Sequence, residues 1–179
     1  IFQLRVETQR LDPEESKNFT LDNDSKLLKE SVEKSARPLL ENHDYSSILE
    51  IYTNAMQKEK NNNQKQFYAE QIEFYEHADK VKKFSQNITI KSSILLRSLS
   101  LDEDGELEAV SSKGFHLKNS NNKIIPWNEI SSKVLSALVA KYEPNTLGES
   151  ISLLIYASRA GNHIAMQKAL RTIEQKYGS

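Results

Sequence analysis

The sequence contains no cysteine among its 179 residues. This absence excludes disulfides, thiol catalysis and cysteine-based zinc or iron–sulfur sites, although it leaves the cellular compartment open. An excess of charge of one sign is also missing, because 24 basic residues stand against 25 acidic ones and the net charge is −1. We therefore expect no long-range attraction to nucleic acid or to an anionic membrane surface.

Long apolar runs and catalytic motifs are absent as well. No apolar run approaches the roughly 20 residues of a membrane-spanning helix, and the longest, residues 151–157, is interrupted by Ser152. The sequence has no glycine-rich phosphate loop, no H-R-D or D-F-G motif and no serine in a G-x-S-x-G context. We expect a chain without kinase activity, without a catalytic residue and without a cofactor. Because it begins at Ile1 rather than Met, we interpret it as a piece of a longer protein.

One stretch, residues 105–132, does not have a helical pattern. Alternating apolar residues and turn signals divide it into three short strands, which predicts a small antiparallel β-meander. The pattern consists of Leu107, Ala109 and Val110, a turn at Lys113 and Gly114, Phe115 and Leu117, and residues 123–125 before Pro126 and Trp127. Upstream, alternating apolar residues between Ile88 and Leu101 predict a further strand. Gly105, Pro126 and Trp127 mark the junctions with the helices, and we expect Trp127 to be a packing plug.

Helical periodicity covers most of the remaining chain. We predict a tether over residues 1–23, three helices within 24–86, the β-insert within 87–127 and C-terminal helices within 128–179, together one compact unit. Ser131 is a predicted helix cap, and Thr146 with Glu149 has the spacing of a capping box. Gly161 is the predicted stop between the last two helices. The first of these two helices carries Ile151, Leu154, Ile155 and Ala157, and the predicted inward residues of the second are Ile164, Met166, Leu170, Ile173 and Tyr177.

Two pairs of helices have the spacing of a tetratricopeptide hairpin. Their positions are Val32, Ala36, Leu39, Tyr45, Ile48, Tyr52 and Ala55 in the first, and Gly161, Met166, Leu170 and Ile173 in the second. Pro38 should bend or shorten the first helix, and His43 replaces the usual turn glycine. The predicted fold is α+β and mainly α, with tetratricopeptide-like hairpins on either side of the meander.

The order of these pieces resembles accessory regions of large planctomycete, verrucomicrobial and lentisphaeral proteins. The resemblance covers residues 30–175 and is most specific at Gly105, Pro126-Trp127 and Ala157 to Gly161. In those proteins such regions often follow a serine/threonine protein kinase domain and a transmembrane helix. The resemblance implies an accessory module on the extracytoplasmic side, with a cytoplasmic location as the alternative.

The predicted function is non-catalytic protein interaction or structural support. A peptide groove could be lined by five aromatic residues, Tyr45, Tyr52, Phe67, Phe74 and Tyr75; the alternative for the same residues is core packing. A small-molecule or peptide sensor is the rival class, and a hydrolase is a distant third. The expected partner is a protein or peptide and not nucleic acid.

Metal binding has little support in the sequence. Four histidines, His43, His77, His116 and His163, lie at least 34 residues apart and share no helical face. The acidic residues near the meander, Asp102, Glu103, Asp104, Glu106 and Glu108, lack the ligand order of a calcium loop and predict a solvated turn. Lys80, Lys82 and Lys83 beside Phe84 form only a small basic cluster.

Overall fold

The computed structural model describes residues 13–90, 94–99, 105–118 and 123–178. Within these ranges the chain forms six α-helices and one four-stranded sheet. The predicted fold class, α+β and mainly helical with a small antiparallel sheet, is confirmed. In chain order the elements are α1 Pro13–Glu41, α2 Tyr45–Lys58, α3 Asn62–Gln86, β1 Ile94–Leu95, β2 Glu106–Ser111, β3 Gly114–Leu117, β4 Ile124–Pro126, α4 Ser132–Lys141, α5 Leu147–Arg159 and α6 His163–Tyr177.

Helix α1 begins earlier than the sequence predicts. The predicted tether covers residues 1–23, but the helix already starts at Pro13, where a proline without an N–H fits the first turn; residues 1–12 lie outside the described ranges. Farther along α1, the buried Ser25 hydroxyl donates to Glu59 Oε1 at 2.7 Å. Asn61 Nδ2 donates to Asp22 at 3.2 Å. These contacts fix this part of the helix to the turn between α2 and α3.

The structure at the end of α1 corrects the prediction for Pro38 and explains how His43 replaces the usual turn glycine. Pro38 lies inside the last turn and does not shorten the helix, which continues to Glu41. The next turn places His43 in the left-handed conformation, with φ at 51°. The Asp44 N–H then donates to the Leu39 carbonyl at 2.9 Å, which completes a Schellman motif. His43 thus occupies the position where a glycine is usual, a conformation that costs about 1–2 kcal/mol for other residues.

The sheet is a meander in the order β1-β2-β3-β4, and all neighbouring strands are antiparallel. The three predicted strands are present, but the inward residues of β2 are Leu107 and Val110, whereas Ala109 is exposed. The cause is a register shift between Leu107 and Ala109. Such a bulge inserts one residue and changes the side to which the following residues point.

Over the described residues, the predicted strand between Ile88 and Leu101 is shorter than expected. Of those residues, Ile94 and Leu95 alone pair with β2, and residues 96–99 form a 3-10 turn. Ile88 and Ile90 lie in no regular element, while residues 91–93 and 100–104 lie outside the described ranges. Leu96 and Leu99 are both fully buried. The 3-10 turn therefore points both side chains into the core, whereas a strand would point them to opposite faces of the sheet. Residues 119–122, the predicted link between β3 and β4, also lie outside the described ranges.

Helix α3 is the centre of the packing. It contacts both α2 and α5, and it also touches α4 and β2. The α5–α6 pair is a second closely packed hairpin, and α4 contacts both of its helices. Helix α3 therefore joins the α1–α2 pair to the α5–α6 pair, and the sheet and α4 complete the core.

The predicted signals of the last three helices are confirmed. Ser131 caps α4 by accepting from the Val134 N–H, and Thr146 and Glu149 form a reciprocal capping box at the start of α5. Gly161 takes φ +66° after α5, and the Asn162 N–H donates to the Ala157 carbonyl at 2.9 Å. Gly161 therefore closes a second Schellman motif, in the position where glycine has no steric penalty.

Candidate functional site

The predicted aromatic groove is mostly core. Tyr45, Tyr52 and Tyr75 are buried, and the Tyr75 ring contacts the other two, so they cannot line an open surface. Phe67 and Phe74 are half-buried, and each is covered by a cation, Lys29 at 4.5 Å and Arg159 at 4.1 Å from the ring centre. The alternative of core packing therefore describes these residues, because aromatic side chains on a helix between two partners bury both flanks.

A buried chain of hydrogen bonds starts at His43. Its Nε2 lies 2.5 Å from the Ile130 carbonyl oxygen, and its Nδ1 lies 2.6 Å from the Tyr45 hydroxyl. The Tyr45 and Tyr156 hydroxyls are 2.8 Å apart. A carbonyl oxygen only accepts, so Nε2 carries the proton and Nδ1 accepts from Tyr45. The Tyr45 hydroxyl oxygen in turn accepts from the Tyr156 O–H. Tyr156 therefore donates to Tyr45, and Tyr45 donates to His43.

Burial sets the electrostatics of this cluster. It lowers the pKa of His43, against a smaller raising effect of the Ile130 carbonyl, and it raises the pKa values of Tyr45 and Tyr156. Burial also lowers the pKa of Lys82, whose ammonium donates to the His43 carbonyl at 2.8 Å and lies 4.9 Å from the Trp127 ring centre. The neutral forms of the imidazole and of both phenols are therefore favoured.

Both ring nitrogens of His43 are occupied by partners inside the protein. His43 joins the α1–α2 turn directly to the segment before α4, and it is linked to α5 through Tyr45 and Tyr156. Trp127 packs against the His43 ring, with the ring centroids 5.7 Å apart. A fully satisfied, buried polar network of this kind specifies one packing arrangement. We interpret the cluster as the structural junction of the fold.

The stability of the protein should depend on pH through His43. The folded-state pKa lies below the ordinary histidine value of 6.5, so the unfolded chain binds the proton more readily. The stability contribution is complete above pH 6.5 and is lost as the pH falls from 6.5 through the folded-state pKa. We expect the stability advantage of the parent chain over His43→Asn to shrink between pH 8 and pH 5 in urea titrations. Asparagine does not titrate there and tolerates the left-handed conformation.

His163 provides the control for this experiment, because it is exposed at the start of α6. At this exposed position, His163→Asn should change the free energy of unfolding by no more than about 0.5 kcal/mol at pH 8. A free-energy difference between the parent and His43→Asn that stays constant from pH 8 to pH 5 would show that His43 does not titrate with unfolding.

The other histidines are dispersed. His77 Nδ1 contacts the Ser152 hydroxyl at 3.0 Å, and His116 Nε2 contacts the Ser111 hydroxyl at 2.6 Å. The described residues contain no group of three or more histidine or acidic side chains that could hold a metal ion. Asp102, Glu103 and Asp104 lie outside the described ranges, and Glu106 lies 3.5 Å from the Lys118 ammonium.

The structure corrects the predicted orientation of α6. Of its predicted inward residues, Ile164, Leu170 and Tyr177 are exposed, with Ile164 73% exposed. Ile173 is half-buried, and Met166 is half-buried and packs against the core. The inward-facing predictions for Ile164, Leu170 and Tyr177 are therefore wrong. Among the apolar residues expected on α5, Ala157 is buried, Leu154 and Ile155 are half-buried and Ile151 is exposed.

Other residues form the packed faces of these helices. On α5 the buried residues are Ser150, Ser152, Leu153, Tyr156 and Ala157, and on α6 they are Ala165, Ala169 and Thr172. Tyr156 must face inward to reach Tyr45, and small side chains let α6 approach α5 closely. Both helices are apolar on two sides, so periodicity alone could not select the inner one.

The outer side of the hairpin carries an apolar surface, which we call the C-terminal face (Leu147, Ile151, Leu154, Leu170, Ile173 and Tyr177). Leu147, Ile151 and Leu154 follow one another at single-turn spacing on α5, and the other three do so on α6. The Tyr177 hydroxyl donates to the Asn145 carbonyl at 2.9 Å, so the end of α6 lies beside the start of α5. Leu147, Ile151, Leu170 and Tyr177 are 36–40% exposed.

No protein-family model matches the chain, and comparisons with curated proteins and with solved structures give no match either. Over the described ranges, no helix combines the length and the apolarity that crossing a membrane demands. The geometry of the described residues is therefore the basis for a functional proposal.

Proposed function

We propose that this chain is a non-catalytic protein-interaction module whose C-terminal face binds an amphipathic helix of a partner protein. The observation that carries the proposal is the pair of partly exposed apolar rows on α5 and α6, while other residues hold these helices in the core. The exposed members of the rows are Leu147, Ile151, Leu170 and Tyr177. Two adjacent helices with such rows form a groove that accepts a third helix by ridges-into-grooves packing.

The chemistry of the face supports this proposal. Leucine and isoleucine rows supply the apolar anchors that a helix uses at i, i+3, i+4 and i+7. Tyr177 adds an aromatic residue with a polar tip, a type that is enriched among the strongest contributors to interfaces. The hairpin would then be used as tetratricopeptide-type hairpins are, as a rigid support for a bound segment. The resemblance to bacterial accessory regions supports the further proposal that the module belongs to a larger protein, such as a membrane-anchored serine/threonine kinase.

The test compares protein capture from the native cells by the immobilised parent chain and by the double variant Ile151→Asp/Leu170→Asp. Both residues are at least one-third exposed, so the variant should remain folded, with surface changes of about 0.5 kcal/mol each. We expect the affinity for a captured partner to fall by roughly 100-fold, because two charges would be buried in an apolar contact.

Leu27→Asp is the matched control, since Leu27 is an exposed leucine on α1, 64% accessible. It should leave capture unchanged. Equal capture by all three chains would refute the proposal. A parent chain that sediments as a dimer, and a double variant that sediments as a monomer, would identify the face as a self-association surface instead.

A further inference from the structure

A second concave surface lies between α4 and α6. It is a groove of about 420 Å³ whose floor is Leu99 of the 3-10 turn after β1. Ala137 and Ala140 form the α4 wall and Ile164 forms part of the α6 wall. The short alanine side chains leave space between the helices, and the volume lies in the range of ligand clefts, about 300–1,000 Å³.

Three lysines stand around this groove. Lys133 and Lys141 line it from α4, and Lys168 lines it from α6. All three side chains are exposed, and none is in an ion pair with a described residue. No acidic side chain of the described ranges lines the groove. It therefore concentrates positive charge in a chain whose net charge is −1, and it should select an anion.

The spacing of the lysines indicates the shape of that anion. Lys133 and Lys141 are eight residues apart on α4 (141 − 133), which corresponds to about 12 Å along the helix axis. Eight residues also turn the helix by only about 80° from its starting direction, so both lysines lie on the same side as Ala137. An anion that pairs with both lysines while their side chains stand apart carries at least two charged groups. An extended peptide covers the distance with about four residues, at roughly 3.3–3.6 Å each.

We propose that this groove binds an extended acidic segment of a partner protein. Its carboxylates face Lys133, Lys141 and Lys168, and one apolar side chain between them packs on Ala137 and Ile164. The site is separate from the C-terminal face, so the inference does not depend on helix binding there. Alternating acidic and apolar contacts provide specificity for such a segment over a simple anion. An anion that lacks the apolar residue leaves the apolar lining of the groove in contact with water.

The experiment is a fluorescence-anisotropy titration of the full chain with a fluorescein-labelled Glu-Glu-Leu-Glu-Glu peptide. We expect saturable binding that weakens as salt rises from about 50 to 300 mM, because exposed charges are screened. The triple variant Lys133→Gln/Lys141→Gln/Lys168→Gln should bind about tenfold more weakly or worse. Ile164→Glu should weaken binding as well, and its side chain is exposed enough for the fold to tolerate the change.

Controls separate this site from general charge attraction. The variant Lys26→Gln/Lys34→Gln/Lys65→Gln removes three exposed lysines from α1 and α3 and should bind like the parent chain. The peptides Gln-Gln-Leu-Gln-Gln and Glu-Glu-Ser-Glu-Glu should each bind more weakly. The inference is overturned by an absence of binding at about 1 mM peptide, a typical upper limit for weak recognition, or by equal losses in the two triple variants. Displacement of the peptide by an equal concentration of decanoate would also overturn it, because it would identify a pocket for a single-headed amphiphile.

Discussion

Replacing Trp127 with alanine is expected to lower the free energy of unfolding by about 3–5 kcal/mol, the cost of removing a large buried ring. Trp127 is 5% exposed and packs between His43 and Phe115, with ring centroids 5.7 and 5.9 Å away. Its loss would open a cavity where the sheet, the α1–α2 turn and α4 meet. Urea titration measures the effect. A loss below about 1 kcal/mol would contradict the role of Trp127 as the packing plug of this junction.

Trp127→Phe separates packing from hydrogen bonding at the same position. The indole Nε1–H donates to the Ser112 carbonyl at 3.0 Å, and phenylalanine removes this bond while keeping most of the apolar contact. Ser112 is exposed, so water can replace the lost donor. We expect the phenylalanine variant to lose only about 1–2 kcal/mol.

Among substitutions that add a single methyl group, Gly114→Ala should lower the stability of the protein most. Gly114 has φ +137°, and an added Cβ would lie 2.0 Å from the Ile125 carbonyl oxygen of the neighbouring strand. The clash with backbone and the disfavoured conformation together should destabilise the protein by roughly 3 kcal/mol or more. The measurement is the urea midpoint, together with the loss of β3–β4 pairing in amide exchange.

Gly148→Ala is the matched control for this substitution. Gly148 lies in the first turn of α5, and no heavy atom is within 4 Å of its hypothetical Cβ. Alanine there should be neutral or stabilising by up to about 1 kcal/mol, because it favours the helix. If both variants lost the same stability, backbone contact at Gly114 would not be the cause.

Local signals in the sequence were sufficient for most of the fold. Capping residues such as Ser131 and Thr146 and the stop at Gly161 depend on neighbours within one turn, so the helices could be placed without tertiary information. The meander and the burial of Trp127 followed from alternation and turn chemistry in the same way. These predictions are confirmed because their physical causes are local.

The predictions failed where contacts between residues far apart in the sequence determine the structure. The α5 helix is apolar on two sides, and only the pairing of Tyr156 with Tyr45, 111 residues away, selects the inner one. The contact of His43 with Ile130 spans 87 residues, so the polar junction had no local signal except a histidine in place of a turn glycine. The C-terminal face was missed for the same reason, since its α6 residues Leu170, Ile173 and Tyr177 were predicted to point inward.

The topology also has a consequence for the order of folding. Each strand of the sheet pairs with its neighbour in sequence, so the loops that must close are short and their entropy cost is small. The contacts of His43 and Tyr45 with Ile130 and Tyr156 enclose loops of 87 and 111 residues, which close at a higher entropic cost. The sheet and the α5–α6 hairpin can therefore assemble on their own. We therefore expect the contacts of the buried imidazole to form late, when the first two helices dock onto the C-terminal half.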